Sequence, residues 1–330
     1  MKYVLHGNIN FVIDLNYEIL SILQKTARPE SEWISFVNEK YVNKIKSNLN
    51  MNSKEIINIL DLFKKYDFPF GEIRSYCDLM DEDYNIMLNY KKHLEINKNN
   101  LQNYNMNFEK IKEFESACKS LFNSINYNDI YDLLKEESYL YLSEIKEVFD
   151  KDEYKNRLIN FYGKQLGNFE IICSFVAGNF GSLVNGKQIF VRKFKITEDN
   201  HIKLNATATL PFYFHEFSHP YVTELLNKYR EEIIDFDTHF KSLTLSKEMS
   251  PYSKAMNYLN EILTRANETY LCGIYIPDMI DLYINKQINY GITYFKDLVE
   301  LIANNIDNYQ NYEGLFIDKM IPFINSLSKK

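Results

Sequence analysis

The chain has 330 residues, of which 45% are hydrophobic and 25% are charged, as in an ordinary globular protein. Asp and Glu total 45 against 38 for Lys and Arg, and the formal net charge of −7 argues against a nucleic-acid partner, which a basic surface would bind. The chain has no signal-peptide-like start, no run of 18 apolar residues and no CxxC pair among its four cysteines, which predicts a cytoplasmic protein with free thiols and no membrane partner.

The first half of the sequence predicts one strand followed by helices. Residues 3–14 alternate roughly and carry β-branched side chains, so we expect segment 1–16 to be a strand that joins the main sheet. Segment 17–165 has helical periodicity and is interpreted as one helical block. Ser53 stands before an amphipathic run, as a helix-capping residue does. Apolar residues recur at three- and four-residue spacing in two further runs, Phe108, Ile111, Phe114, Ala117, Cys118, Leu121 and Phe122, and Ile130, Leu133 and Leu134.

Turn and strand signals then interrupt the helical pattern. The Asn-rich stretch 97–107 is typical of a loop, and runs 170–178 and 188–196 resemble strands. Asn185-Gly186 between those runs predicts a tight hairpin, because both residues tolerate positive φ. After residue 205 the chain is helical again, so the sequence predicts a mostly helical α+β fold with a small sheet.

The sequence His215-Glu216-Phe217-Ser218-His219 is an HExxH motif. Two histidines four residues apart on a helix project from one face, and both imidazoles reach a single ion at about 2.0–2.1 Å. Glu216 points roughly 100° away around the helix, towards a water molecule on that ion. The motif therefore predicts a Zn²⁺ site with His215 and His219 as ligands and Glu216 as the general base.

The helix that carries the motif is apolar on both sides, which is typical of a buried helix. One stripe consists of Leu210, Phe214, Phe217, Tyr221 and Leu225. Pro220 follows the motif directly and predicts a kink, because proline has no N–H for the Glu216 carbonyl. The alternative is that both histidines are core residues with satisfied hydrogen bonds.

A catalytic zinc site has three protein ligands, and the third is expected downstream. Glu261 lies on a predicted helix opened by Ser250-Pro251, and it shares a polar strip with Tyr258 and Arg265. That strip faces either a cleft or solvent. If the strip faces solvent, Glu261 and Arg265 form only a surface ion pair at i,i+4. His239 is the rival for the third ligand.

The chain resembles the gluzincin type of zinc peptidase, and more closely an uncharacterised bacterial family of gluzincin-like proteins. The segments that carry the resemblance are Tyr213-Phe-His-Glu-Phe-Ser-His-Pro-Tyr-Val and Asn260-Glu-Ile-Leu-Thr-Arg-Ala. The resemblance implies that His215, His219 and Glu261 bind zinc and that Glu216 is the base. It also implies a zincin-like catalytic domain over residues 166–330, in which strand 187–195 is a candidate edge for pairing with an extended substrate.

The chain departs from the family pattern at Arg265, where many such peptidases carry an acidic residue that orients a ligand. Arg265 cannot orient a histidine as a carboxylate does, so it is expected to hold Glu261 or to bind a substrate carboxylate. No motif identifies the group that stabilises the oxyanion. Tyr258, Tyr252 and His239 are the candidates.

These observations predict a zinc metallopeptidase acting on a peptide or protein substrate. Zinc-bound water attacks the carbonyl, while Glu216 accepts a proton and passes it to the leaving nitrogen. The alternative is a binding or scaffold protein in which zinc is structural or the HExxH helix is vestigial.

Overall fold

A computed structural model describes residues 1–30, 38–66, 77, 108–176, 180–184, 187–204, 206–234, 236–250 and 252–328. The strands are β1 (Lys2–Leu5), β2 (Asn10–Asp14), β3 (Asn168–Ser174), β4 (Phe180–Val184) and β5 (Lys187–Lys193). The helices before β3 are α1 (Leu15–Ala27), α2 (Glu39–Ser47), α3 (Lys54–Lys65), α4 (Phe108–Ser124), α5 (Tyr127–Phe149) and α6 (Asp152–Tyr162). The expected α+β class, mostly helical with a small mixed sheet, is confirmed.

Seven α-helices follow β5 in the described part of the chain, together with short 3-10 turns at Pro277–Met279 and Ile306–Asn308. The α-helices are α7 (Ala206–Lys228), α8 (Phe236–Ser242), α9 (Ala255–Gly273), α10 (Ile280–Asn289), α11 (Phe295–Asn305), α12 (Tyr312–Leu315) and α13 (Ile321–Leu327). A π-helical turn at Phe316–Met320 joins the last two. Within the described residues, none of the helices has both the length and the apolar character needed to cross a bilayer.

The prediction of a single strand over residues 3–14 is wrong. The segment folds back on itself, and β1 pairs with β2 in antiparallel register, with Tyr3 opposite Ile13. The two strands are separated by Gly7-Asn8 and its neighbours, which form a bend. Gly and Asn both favour tight turns, so this pair is the signal that divides the run.

The five strands form one sheet in the order β1-β2-β3-β5-β4. β2 and β3 are parallel, with Phe11 opposite Ile171. β5 lies between β3 and β4, so the prediction that strand 187–195 is a free edge is wrong. An interior strand has both rows of backbone groups paired and offers none to a peptide. The predicted turn at Asn185-Gly186 and the predicted loop 97–107 lie outside the described residues.

The helical predictions for the segment between β2 and β3 are confirmed in most details for the described residues. α3 begins after Ser53, whose Oγ accepts a hydrogen bond from the Ile56 amide at 3.3 Å. α4 and α5 cover the two apolar runs, with Ile130 and Leu134 buried but Leu133 46% exposed. All four cysteines are buried free thiols, Cys77, Cys118, Cys173 and Cys272.

The chain separates into two compact units. The first consists of Met1–Val148, Phe169–Phe180 and Phe190–Lys203, and the second of Phe149–Asn168, Gly181–Ile189 and Leu204–Lys330. Both units are therefore assembled from discontinuous segments. That 1–16, 17–165 and 166–330 are distinct domains stays a prediction.

In the second unit, α7 and α9 pack along each other. α7 contains both Pro211 and Pro220 and continues as a helix beyond them. Aromatic contacts hold it from outside: Tyr213 stacks on Phe149 at 5.9 Å between ring centroids, and Tyr221 stacks on Tyr162 at 4.2 Å. Burial of these rings stabilises the helix despite the missing N–H groups of its prolines.

α9 begins later than the sequence predicts. Its first residue is Ala255 and Lys254 precedes it, so Ser250-Pro251 does not open the helix. The Ser250 hydroxyl instead donates to the Lys247 carbonyl at 2.8 Å, and Pro251 lies outside the described residues. The later start leaves the face that carries Glu261 unchanged, because the helical period is the same.

Two glycines with positive φ provide a test of packing at the end of α6. Gly163 (φ 75°) ends α6, and a Cβ there would lie 2.5 Å from Nδ2 of Asn311, whose Oδ1 accepts from the Gly314 amide and caps α12. Gly291 (φ 92°) has open space around it. We expect Gly291→Ala to lower the free energy of unfolding by about 1–2 kcal/mol through backbone strain alone. Gly163→Ala should lower the free energy of unfolding by about 1 kcal/mol more, because the added Cβ also displaces the Asn311 side chain that caps α12.

Urea unfolding of both variants measures this difference. Equal losses of stability would show that Asn311 moves aside without cost.

Candidate metal centre

The two histidines of the HExxH motif face each other on α7. Their Nε2 atoms are 3.1 Å apart and their ring planes are perpendicular. The spacing of four residues places them on successive turns of one face, as the sequence predicts. The imidazole side chains of His215 and His219 are 15% and 22% exposed, so the pair is largely buried but still accessible to solvent.

Glu261 on α9 completes the group. One carboxylate oxygen lies 3.7 Å from Nε2 of His215, and the other lies 3.6 Å from Nε2 of His219. Donor atoms bound to one ion at about 2.0–2.2 Å are separated by roughly 3–3.6 Å. The three side chains therefore have the spacing of ligands around one ion. Glu261 is 3% exposed, so its polar strip does not face solvent.

Further side chains fix the orientation of each imidazole ring. Glu268 accepts a hydrogen bond from Nδ1 of His215 at 2.8 Å, and Oδ1 of Asn260 accepts one from Nδ1 of His219 at 2.8 Å. The Asn260 amide nitrogen donates to the Thr223 hydroxyl at 2.9 Å, which is consistent with this orientation of the amide. With both Nδ1 atoms protonated, both Nε2 atoms direct lone pairs at the point that Glu261 also faces.

The shifted pKa values of the two histidines and Glu261 favour one positive charge at the point that both Nε2 atoms and the Glu261 carboxylate face. Burial opposes the charged form of His215, but the carboxylates of Glu261 and Glu268 outweigh it and raise the pKa to about 9. Burial and then the charge on His215 lower the pKa of His219 to about 4. Burial would raise the pKa of Glu261, but the two histidines and Arg265 lower it to about 2.

Glu216 lies beside this group. It is 6% exposed, and its carboxylate belongs with the two histidines to a cluster whose candidate ligand atoms all lie within 4.8 Å of one another. A buried carboxylate at this separation can contact a small molecule held between it and the three donors. That Glu216 acts as a general base stays a prediction.

Arg265 is held against Glu261. Its Nε donates to Oε1 of Glu261 at 2.6 Å, and a terminal nitrogen donates to Gln287 on α10 at 2.7 Å. Of the two roles expected from the sequence, the structure places the guanidinium where it holds Glu261. Tyr252 interacts with both members of this pair, and burial, followed by the Glu261 charge, raises the pKa of its phenol.

The other two candidates for stabilising an oxyanion lie elsewhere in the same unit. Tyr258 is buried, with its ring 5.4 Å from that of Phe240, and its phenol interacts with Tyr294. His239 packs against Tyr294 at 5.6 Å, and burial lowers its pKa. Tyr252 therefore interacts with both members of the pair formed by Glu261 and Arg265, whereas Tyr258 interacts only with the Arg265 charge.

Sequence reasoning missed the acidic residue that orients a histidine. Glu268 is not among the residues predicted from the sequence, although it lies seven residues after Glu261 on the same helix face. Thr264, between them, places its hydroxyl 3.3 Å from Nδ1 of His219. The recurrence of polar residues at positions 261, 264 and 268, three and four residues apart, is a sequence signal that indicates one polar face containing Glu268. Asn260 is the first residue of the second segment that carries the resemblance, but the sequence predicts no role for it.

Glu268 offers a test of the ring orientation. We expect Glu268→Ala to weaken Zn²⁺ binding by about 10–100-fold, because His215 loses the acceptor that fixes its tautomer. Glu268→Gln should weaken binding less, since its amide oxygen can still accept. Competition with a chromogenic chelator measures the affinity. Glu300→Ala, which removes a 54% exposed carboxylate on α11, is the control. Unchanged affinity in Glu268→Ala would contradict this account.

Comparison with known proteins adds no family to these observations. No protein-family model, curated protein or solved structure matches the chain. The resemblance to gluzincin-like proteins stays a prediction carried by the two quoted segments. The interpretation of the site therefore depends on the residues themselves and on their geometry.

Proposed function

We propose that this protein is a zinc-dependent hydrolase of the gluzincin metallopeptidase type, with a zincin-like catalytic domain that cleaves a peptide or amide bond. The observation that carries the proposal is the convergence of three lone-pair donors, on His215, His219 and Glu261, beside the buried carboxylate of Glu216. Two imidazoles and one carboxylate are the ligand set of a catalytic zinc site.

The donor chemistry fits zinc, and His215, His219 and Glu261 would hold it. Bound zinc lowers the pKa of a water molecule to about 7 and polarises a carbonyl oxygen. The chain supplies the remaining requirements. Glu268 and Asn260 accept the Nδ1 protons of the two rings, which leaves both Nε2 atoms directed at the metal position, and burial of the site excludes most bulk water, which strengthens electrostatic interactions inside it.

Glu216 is assigned the proton transfers. Its carboxylate accepts the proton that water loses as it attacks the substrate carbonyl, and it returns that proton to the leaving nitrogen. The carboxylate is close enough to the histidines to share one small reactant with them. Tyr252, which interacts with both Glu261 and Arg265, is the candidate favoured for stabilising the oxyanion.

Two features favour catalysis over a structural zinc. The site offers three donors and partly exposed imidazoles, whereas structural zinc sites are closed by four ligands. In addition, α7 and α9 are held together by buried apolar side chains, including Phe217, Ile262 and Ala266. We therefore expect metal removal to leave the chain folded, unlike the unfolding that follows loss of a structural zinc.

Elemental analysis of the purified protein tests the ligand set. We expect about one zinc per chain in the wild type after dialysis against zinc, and its loss in His219→Ala and Glu261→Ala. Glu216→Gln should retain the metal, because Glu216 is not a ligand. Circular dichroism after chelation should show unchanged helix content. A wild type that takes up no zinc would contradict the proposal.

Activity is tested separately with a library of peptides and mass-spectrometric detection of the products. We expect the wild type to cleave a subset of the library, and Glu216→Gln to lose at least about 100-fold in rate, since general-base catalysis contributes about 10²–10⁴-fold. Glu300→Gln is the control carboxylate substitution. Full activity of metal-loaded Glu216→Gln would exclude the assigned mechanism.

A further inference from the structure

The two oxygens of Glu261 are nearly equivalent in their distance from the histidines. Oε1 lies 3.7 Å from Nε2 of His215, and Oε2 lies 3.6 Å from Nε2 of His219. Distance alone would therefore allow both oxygens to bind one ion. A carboxylate that chelates in this way occupies two positions around the metal ion and leaves fewer for substrate and water.

Arg265 removes this equivalence. It donates to Oε1 at 2.6 Å, a short charge-assisted hydrogen bond, and no corresponding contact from Arg265 reaches Oε2 in the described part of the chain. An oxygen that already accepts from a guanidinium is a weaker metal donor, because part of its charge is neutralised. Oε2 is then the stronger donor.

Arg265 is itself fixed in place. Its side chain is 15% exposed, and its second hydrogen bond goes to Gln287, which is 5% exposed on α10. The guanidinium also lies 5.9 Å from the ring centre of Tyr290. With contacts to three side chains, one on α9, one on α10 and one directly after α10, the guanidinium has little freedom to leave Oε1.

We propose that Arg265, anchored by Gln287, is a positioning residue that restricts Glu261 to binding the metal through Oε2 alone. The inference rests on the proposed metal site and deepens it. It gives the site three protein donor atoms in place of four. Positions remain for a water molecule and a substrate carbonyl oxygen without displacement of a ligand.

The test uses Co²⁺ in place of zinc, because its visible absorption is intense in four-coordinate sites and weaker in five-coordinate ones. The variants are Arg265→Met, Arg265→Lys and Gln287→Leu, with Arg230→Met as an exposed control. We expect the Co²⁺ absorption of Arg265→Met to fall by about half as Glu261 becomes bidentate. Arg265→Lys, which retains a charge near Oε1, should recover part of the intensity, and Gln287→Leu should lose part of it.

The outcomes separate the two proposals. A wild type that binds no Co²⁺ overturns the metal site and this inference with it. Wild type and all variants binding Co²⁺ with the same spectrum would leave the metal site standing and overturn the role of Arg265. If Arg265→Met does not fold, Gln287→Leu decides: an unchanged spectrum counts against the inference, and a weakened spectrum supports it.

Discussion

The structure of the site depends on two imidazole nitrogens, the Nε2 atoms of His215 and His219, that face each other across 3.1 Å. This arrangement is unfavourable unless a cation lies between the nitrogens, and the carboxylate of Glu261 on the third side makes the need for one stronger. The surrounding side chains hold the arrangement in place. Glu268 and Asn260 accept the outer protons, so neither ring can relieve the conflict by changing tautomer without losing a hydrogen bond.

The packing of α7 explains how such a polar group is kept inside the molecule. The helix buries Leu210, Phe214, Phe217, Tyr221 and Leu225 on one stripe, as the sequence predicts. The free energy from this apolar surface offsets the cost of burying histidines and carboxylates. Pro211 and Pro220 each remove a backbone donor, yet the helix continues because its position is set by packing on several sides.

Local patterns in the sequence predicted the parts of the structure that are themselves local. Helical periodicity located α4, α5 and α7, and the four-residue spacing placed His215 and His219 on one face. Strand order was not predictable from these patterns, because the position of β5 between β3 and β4 depends on pairing between distant segments. The same limit explains Arg265. Its sequence position allowed two roles; the structure shows its Nε bonded to Glu261, and the second hydrogen bond, to Gln287 on the distant segment α10, could not be read from the sequence.

The contribution of α9 to the site lies within nine residues, from Asn260 to Glu268, which include the proposed third ligand, the residue that holds it and the acceptors for both histidine rings. Side chains on one helix move together. If α9 rotated or slid by a single residue, its contacts to His215 and His219 would be lost in the same step, whereas the Glu261–Arg265 pair within α9 would remain. At the proposed metal site, occupancy would therefore report whether α9 is seated in register against α7.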